Sequence, residues 1–152
     1  MENSTMIKKD KFTATGTVNV IVRDEDGKVK QEFTVPNLVV DSGLDFIASR
    51  MKDTAAAAMS HMAVGTGSVA AAAGDTTLGA EAARVALTTT TVTDNAVAYV
   101  ATFAAGTGTG ALTEAGILNA NSAGDLLCRT VFSVINKGAS DSMTVTWTVT
   151  IS

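Results

Sequence analysis

What this chain has little of narrows its chemistry first. It holds one cysteine, Cys128, so no disulfide forms within it, and a lone thiol suits synthesis in a reducing compartment. One histidine, His61, beside that one thiol falls short of the usual metal-ligand sets. No metal site and no cofactor is therefore expected. With one tryptophan, one tyrosine and 5% aromatic residues, the chain is poorly supplied for a sugar-binding platform. Charged side chains make up 17% of it, below the roughly 25% common in soluble chains. The net charge is −4 and the only basic group is Lys8, Lys9 and Lys11, which argues against a nucleic-acid partner. No apolar run reaches the ~18 residues that span a bilayer, and the charged-then-apolar-then-small order of a signal peptide is missing. Neither membrane nor secretion is expected.

What is present is alanine and threonine, 48 of 152 residues together, with a mean hydropathy of +0.26. A soluble chain so apolar and charge-poor is short of groups to keep its outside wet. Other subunits covering part of that outside would solve the problem. The charges it has are concentrated: residues 1–53 carry 17 of the 26, and the remaining 99 residues carry nine. The length suits one domain, which would bury roughly two-thirds of the unfolded surface.

The clearest local signal is at the end of the chain. Met143, Val145, Trp147, Val149 and Ile151 share one parity, and Thr144, Thr146, Thr148 and Thr150 the other. This is a strand with an apolar face and a hydroxyl face. The same alternation begins at Phe12 and runs through Ala14, Val18, Val20 and Val22, with Val29, Phe33 and Val35 on a return strand. Asp24-Glu-Asp-Gly27 supplies the turn between them, and Pro36, which has no N–H, ends the hairpin. Leu44, Ile47, Ala48 and Met51 follow helical spacing behind Asp41 or Ser42 as cap, with Asp45 in a short capping box. This predicts one short helix near residues 41–53, and Ala55–Ala58 could extend it. Further strands are predicted at about 59–64, 83–91, 96–104, 112–119, 126–136 and 142–151. The sum is a mainly β chain: an N-terminal arm at residues 1–11, then a single domain at 12–152. That domain is expected to be a two-sheet sandwich of about eight strands, of jelly-roll type.

Candidate chemistry is sparse. Gly65-Thr-Gly-Ser-Val-Ala70 matches the glycine pattern of a dinucleotide turn, but that turn needs a long helix after it, which Gly74 and Asp75 interrupt. Gly106–Gly110 lacks the Lys-Ser/Thr of a phosphate loop. His61 and Cys128 would form a nucleophile pair only if they met in space. In strands, Cys128 reads instead as small apolar filler. Glu81 with Arg84, and Glu114 with Arg129, read as ion pairs that fix register between strands or subunits. No catalytic, cofactor-binding or metal residue is assigned, and the chain is expected not to be an enzyme.

One ordered set of segments carries a resemblance. It runs from Pro36-Asn-Leu-Val-Val40 through Met62-Ala-Val-Gly-Thr-Gly67, Asp75-Thr-Thr-Leu78, Glu81-Ala-Ala-Arg-Val85 and Val100-Ala-Thr-Phe103. It continues with Glu114-Ala-Gly-Ile117, Leu127-Cys-Arg-Thr-Val-Phe132 and Thr144-Val-Thr-Trp147. This order resembles modules of tailed-bacteriophage virion proteins: head decoration (cement) proteins, and tail-collar and fibre-attachment proteins. The resemblance implies a β-rich structural subunit without an active site. A decoration role implies the major capsid protein and copies of the chain itself, as dimer or trimer, as partners. The location would be the virion, after synthesis in the bacterial cytoplasm. The alternative implied is a tail or collar adaptor that meets tail or fibre proteins.

Overall fold

A computed structural model describes residues 10–52 and 56–152. The expected arm at 1–11 lies, except for Asp10 and Lys11, outside the described residues; of the expected helix extension, Ala55 lies outside them and Ala56–Ala58 are not helical. The described chain forms ten strands and one helix: β1 (Ala14–Arg23), β2 (Val29–Pro36), β3 (Leu38–Val39), α1 (Asp41–Ser49), β4 (His61–Gly65), β5 (Glu81–Ala86), β6 (Thr89–Thr93), β7 (Ala96–Phe103), β8 (Gly110–Leu118), β9 (Leu126–Lys137) and β10 (Ser142–Ile151). They make two five-stranded antiparallel sheets, ordered β2-β1-β10-β7-β6 and β3-β9-β8-β4-β5. The mainly β sandwich with one short helix is thus the observed architecture. Its strand count is ten rather than about eight.

The terminal strands pair with each other along their whole length, Ala14 opposite Ile151 through Arg23 opposite Ser142. In the other sheet β3 pairs with β9. The hairpins β1–β2, β4–β5, β6–β7 and β8–β9 each stay within one sheet, and the chain crosses between sheets from β2 to β3, β5 to β6, β7 to β8 and β9 to β10. The first hairpin turns as its sequence demands. Gly27 has φ +84°, and Asp24 Oδ1 accepts N–H bonds from Asp26 (3.0 Å) and Lys28 (2.9 Å).

The alternation at β10 translates directly into burial. Trp147 is fully buried and Met143, Val145 and Val149 are nearly so, facing Val18, Val20 and Val22 of β1 and Tyr99, Ala101 and Phe103 of β7 in one core. Met62, Val64, Leu112, Ile117, Cys128 and Ile135 close that core from the other sheet. A second, smaller core lies on the far side of the β4-containing sheet: Val40, Ala63, Leu78, Leu118 and Leu126. The 15-residue loop at 66–80 contributes its Leu78. Because both faces of β8 and β9 are covered, residues 114–118 and 126–130 are buried without interruption.

The helix forms where expected but turns a different face inward. Gly43 and Phe46 are its buried residues, and its N-cap is Val40 with no side-chain cap bond. Leu44 is 39% exposed and Met51, beyond the helix end, is 89% exposed. The reason is a close approach at Gly43: a Cβ there would lie 2.0 Å from the Leu127 carbonyl oxygen. Ser42, a candidate cap, instead donates its hydroxyl to Leu126 O at 2.7 Å. Two backbone-side contacts with β9 therefore set the rotation, against the simple apolar periodicity. The expected strand at 83–91 is two strands in different sheets, since the chain crosses between layers at Leu87 and Thr88.

Candidate assembly surface

The outward positions of the β10-containing sheet follow from register. They are Thr15, Thr17, Asn19, Ile21 and Arg23 on β1, and Ser142, Thr144, Thr146, Thr148 and Thr150 on β10. Beside them stand Ala96, Ala98, Val100 and Thr102 on β7, Thr89, Thr91 and Thr93 on β6, and Glu32, Thr34 and Pro36 on β2. Eleven of these 20 residues are threonine, and the only charges, Arg23 and Glu32, lie at one corner. Threonine is favoured here because its β-branch suits extended backbone. Neighbouring hydroxyl and amide groups also meet: Asn19 Nδ2 donates to Thr34 Oγ1 at 3.1 Å. The result is a broad face with hydrogen-bonding capacity and little charge.

The other polar groups that the sequence singles out are consumed internally. Glu114, on β8, is fully buried. Its Oε2 accepts N–H bonds from Gly67 and Ala80, and its Oε1 from Gly79, all at 2.7 Å. Arg129 on β9 adds Nε at 3.0 Å and Nη2 at 2.9 Å. The same guanidinium reaches Asp75 Oδ2 at 2.9 Å and Val69 O at 3.0 Å. The expected ion pair between strands is present, and it also fastens the 66–80 loop over the second core. Burial by itself would raise the Glu114 pKa. The Ala80 and Gly79 N–H groups, the Arg129 guanidinium and the Gly67 N–H outweigh it, and the carboxyl is held below its ordinary range.

That arrangement explains the Gly65–Gly67 pair. A Cβ on Gly67 would sit 2.4 Å from Glu114 Oε2, and one on Gly65 would sit 2.3 Å from Ala80 O. The glycines let backbone amides converge on an anion, as in a dinucleotide turn, but the anion is the protein's own carboxylate. A strand precedes them and no helix follows.

Glu81 and Arg84 form a two-pronged pair at 2.8 and 2.7 Å. Arg84 Nη1 also donates to the Ala120 and Ala123 carbonyls, each at 2.9 Å, tying down the β8–β9 connection. His61 and Cys128 do not meet. Met62, Ile117 and Cys128 are in register across β4, β8 and β9 and face the main core, so His61, one residue earlier, faces the opposite side. His61 Nδ1 is 2.8 Å from Ser60 Oγ. Burial pushes the Cys128 thiol pKa far up, which makes a poor nucleophile. Trp147 belongs to the core, with its Nε1 unpartnered.

Sequence reading missed one polar cluster. Lys137 is 1% exposed and donates to Ala104 O (3.0 Å) and Asp141 O (2.7 Å). Asp141 in turn accepts from Lys30 and from the Gly138 N–H, and these two bonds, led by Lys30, lower its pKa. Burial lowers the Lys137 pKa, and Asp141 opposes that shift. The only sequence hint was the scarcity of charge beyond residue 53, which makes each such charge a candidate for a partner.

No family model matches this chain, and neither a curated protein nor a solved structure does. Among the described residues no group of three or more His, Cys, Asp or Glu is placed to hold a metal ion, and no helix is long and apolar enough to cross a membrane.

Proposed function

We propose that this chain is a virion structural protein of a tailed bacteriophage, a capsid decoration (cement) protein that bridges and stabilises major capsid protein subunits. It works by burying surface and performs no chemistry. The observation that carries this reading is the threonine-rich, nearly uncharged outer face of the β10-containing sheet. Five strands about 4.8 Å apart, of five to ten residues each, give a face of roughly 650 Å², somewhat under the ~800 Å² that each partner contributes to a standard interface. A face of this kind meets another protein without stranding a buried charge. The ordered resemblance to phage virion modules, over residues 36–152, points the same way.

The mechanism is mass action. A subunit that binds only the assembled shell lowers the free energy of that shell, and many modest interfaces add. The test is to locate and count the chain on purified particles by electron cryomicroscopy. Hundreds of copies seated over capsomer joints are expected. About a dozen copies at the tail would replace this reading with the tail or collar adaptor, and absence from particles would end both. A second measurement uses Thr146→Arg, which places charge in the middle of the face. Its occupancy on particles should fall while its thermal stability stays at the wild-type value.

A further inference from the structure

Every sheet edge is a row of unpaired backbone groups, and proteins normally defend such rows with charge, proline, bulges or brevity. Among the described residues, three of the four edges are defended. Edge β2 carries Lys30, Glu32 and Pro36 and a register shift against β1. Edge β3 has two residues. Edge β5 carries Glu81 and Arg84, and its pairing with β4 is irregular at Val64/Gly65. The fourth edge, β6, is Thr89-Thr-Thr-Val-Thr93: every residue is exposed and β-branched, and none is charged. Its pairing with β7 is regular throughout, and Val92 is 68% exposed.

We infer that β6 is a self-pairing edge, which joins a second copy of this chain antiparallel across a two-fold axis at Thr91. The choice of a second copy rests on the sequence of the edge. A two-fold interface must be self-complementary, and Thr89-Thr-Thr-Val-Thr93 is nearly the same read in either direction. Centred on Thr91, it sets Thr89 against Thr93 and Thr90 against Val92. Cross-strand threonine pairs and β-branched pairs are favourable. The nearest charge, Asp94, falls opposite Thr88, so no like charges meet. The exposed Val92 side chain gains cover, and the threonine-bearing faces of the two copies join into one ten-stranded platform. A five-residue ladder is smaller than a standard interface, so the pairing of free chains is concentration-dependent. The inference concerns the chain in solution and stands apart from the capsid reading.

Register makes it testable by cysteine crosslinking of the full chain. Opposed residues in an antiparallel pair have Cα atoms about 4.5 or 5.5 Å apart, within the ~4.4–6.8 Å that a disulfide spans. Under mild oxidation Thr91→Cys should become a covalent dimer. Thr89→Cys alone should not, because its own counterpart lies about 14 Å along the ladder. A mixture of Thr89→Cys and Thr93→Cys should give the mixed dimer. Wild type, whose Cys128 is fully buried, should give none. Thr91→Lys sets like charges on the axis and should weaken self-association at least tenfold by sedimentation. A Thr91→Cys protein that stays monomeric, equal crosslinking at 89 and 91, or a wild type that sediments as monomer at every concentration would overturn the inference.

Discussion

Replacing Glu114 by glutamine tests whether the 66–80 loop is held by its internal anion. The carboxylate accepts three backbone N–H bonds and the Arg129 guanidinium. Glutamine keeps the shape but offers one oxygen, and its NH₂ must face donors. Arg129, 3% exposed, would keep Asp75 as its only acidic partner. Removing one member of a buried pair costs about 3–5 kcal/mol, and at this chain length about 2–4 °C of Tm accompanies each kcal/mol, a fall of roughly 6–20 °C. The assay is thermal unfolding followed by circular dichroism from pH 7 down to pH 3. The pH dependence has a definite sign. The folded-state pKa of Glu114 is depressed, so its contribution is complete above the unfolded value of ~4.3 and is lost as pH falls through the folded value. The gap between wild type and variant should therefore be widest near neutrality and narrow in acid. Asp141, also depressed, titrates in both proteins and cancels in the difference. A fall below about 2 °C at pH 7, equivalent to less than 1 kcal/mol, would refute the reasoning, as would a gap that widens in acid.

Two further outcomes are expected. Gly43→Ala places a methyl group against the Leu127 carbonyl and should cost about 1–3 kcal/mol despite the better helix propensity of alanine, read as a lower midpoint in urea unfolding. Cys128, fully buried and with its pKa raised, should resist a thiol-reactive dye in the native protein at pH 8 and react at once in denaturant; rapid native labelling would place it outside the core.

The elements written in local pattern were legible and those made by distant contacts were not. The β10 alternation, the Asp24–Gly27 turn and the stop at Pro36 each follow from neighbouring residues, and each stands in the fold. The Ala83–Thr91 run has no internal break in propensity, because Leu87 and Thr88 are as compatible with extended backbone as their neighbours. Only the competition of two sheets for its halves divides it. The rotation of α1 is set by Gly43 against Leu127, 84 positions away, which no helical wheel contains. Of the candidate surface, the β10 hydroxyl row was readable as it stood. The remaining rows joined it only once the register of β1, β7 and β6 was known. The Glu114–Arg129 pair is legible from its isolation in a charge-poor segment, whereas the part of Asp75 and the Lys30–Asp141–Lys137 cluster depend on the loops being in place.

The side-by-side placement of β1 and β10 has a mechanical consequence. Thr13 and Ser152 exchange backbone hydrogen bonds of 2.6 and 2.8 Å at the same end of the pair. Traction applied at those two points loads the ladder one rung at a time, like opening a zipper, because the bonds lie across the strands. Traction along the strand axes would strain all the rungs together. A tether at this corner would peel the sheet at low force, so a contact on the broad face would bear load far better than one at the paired ends.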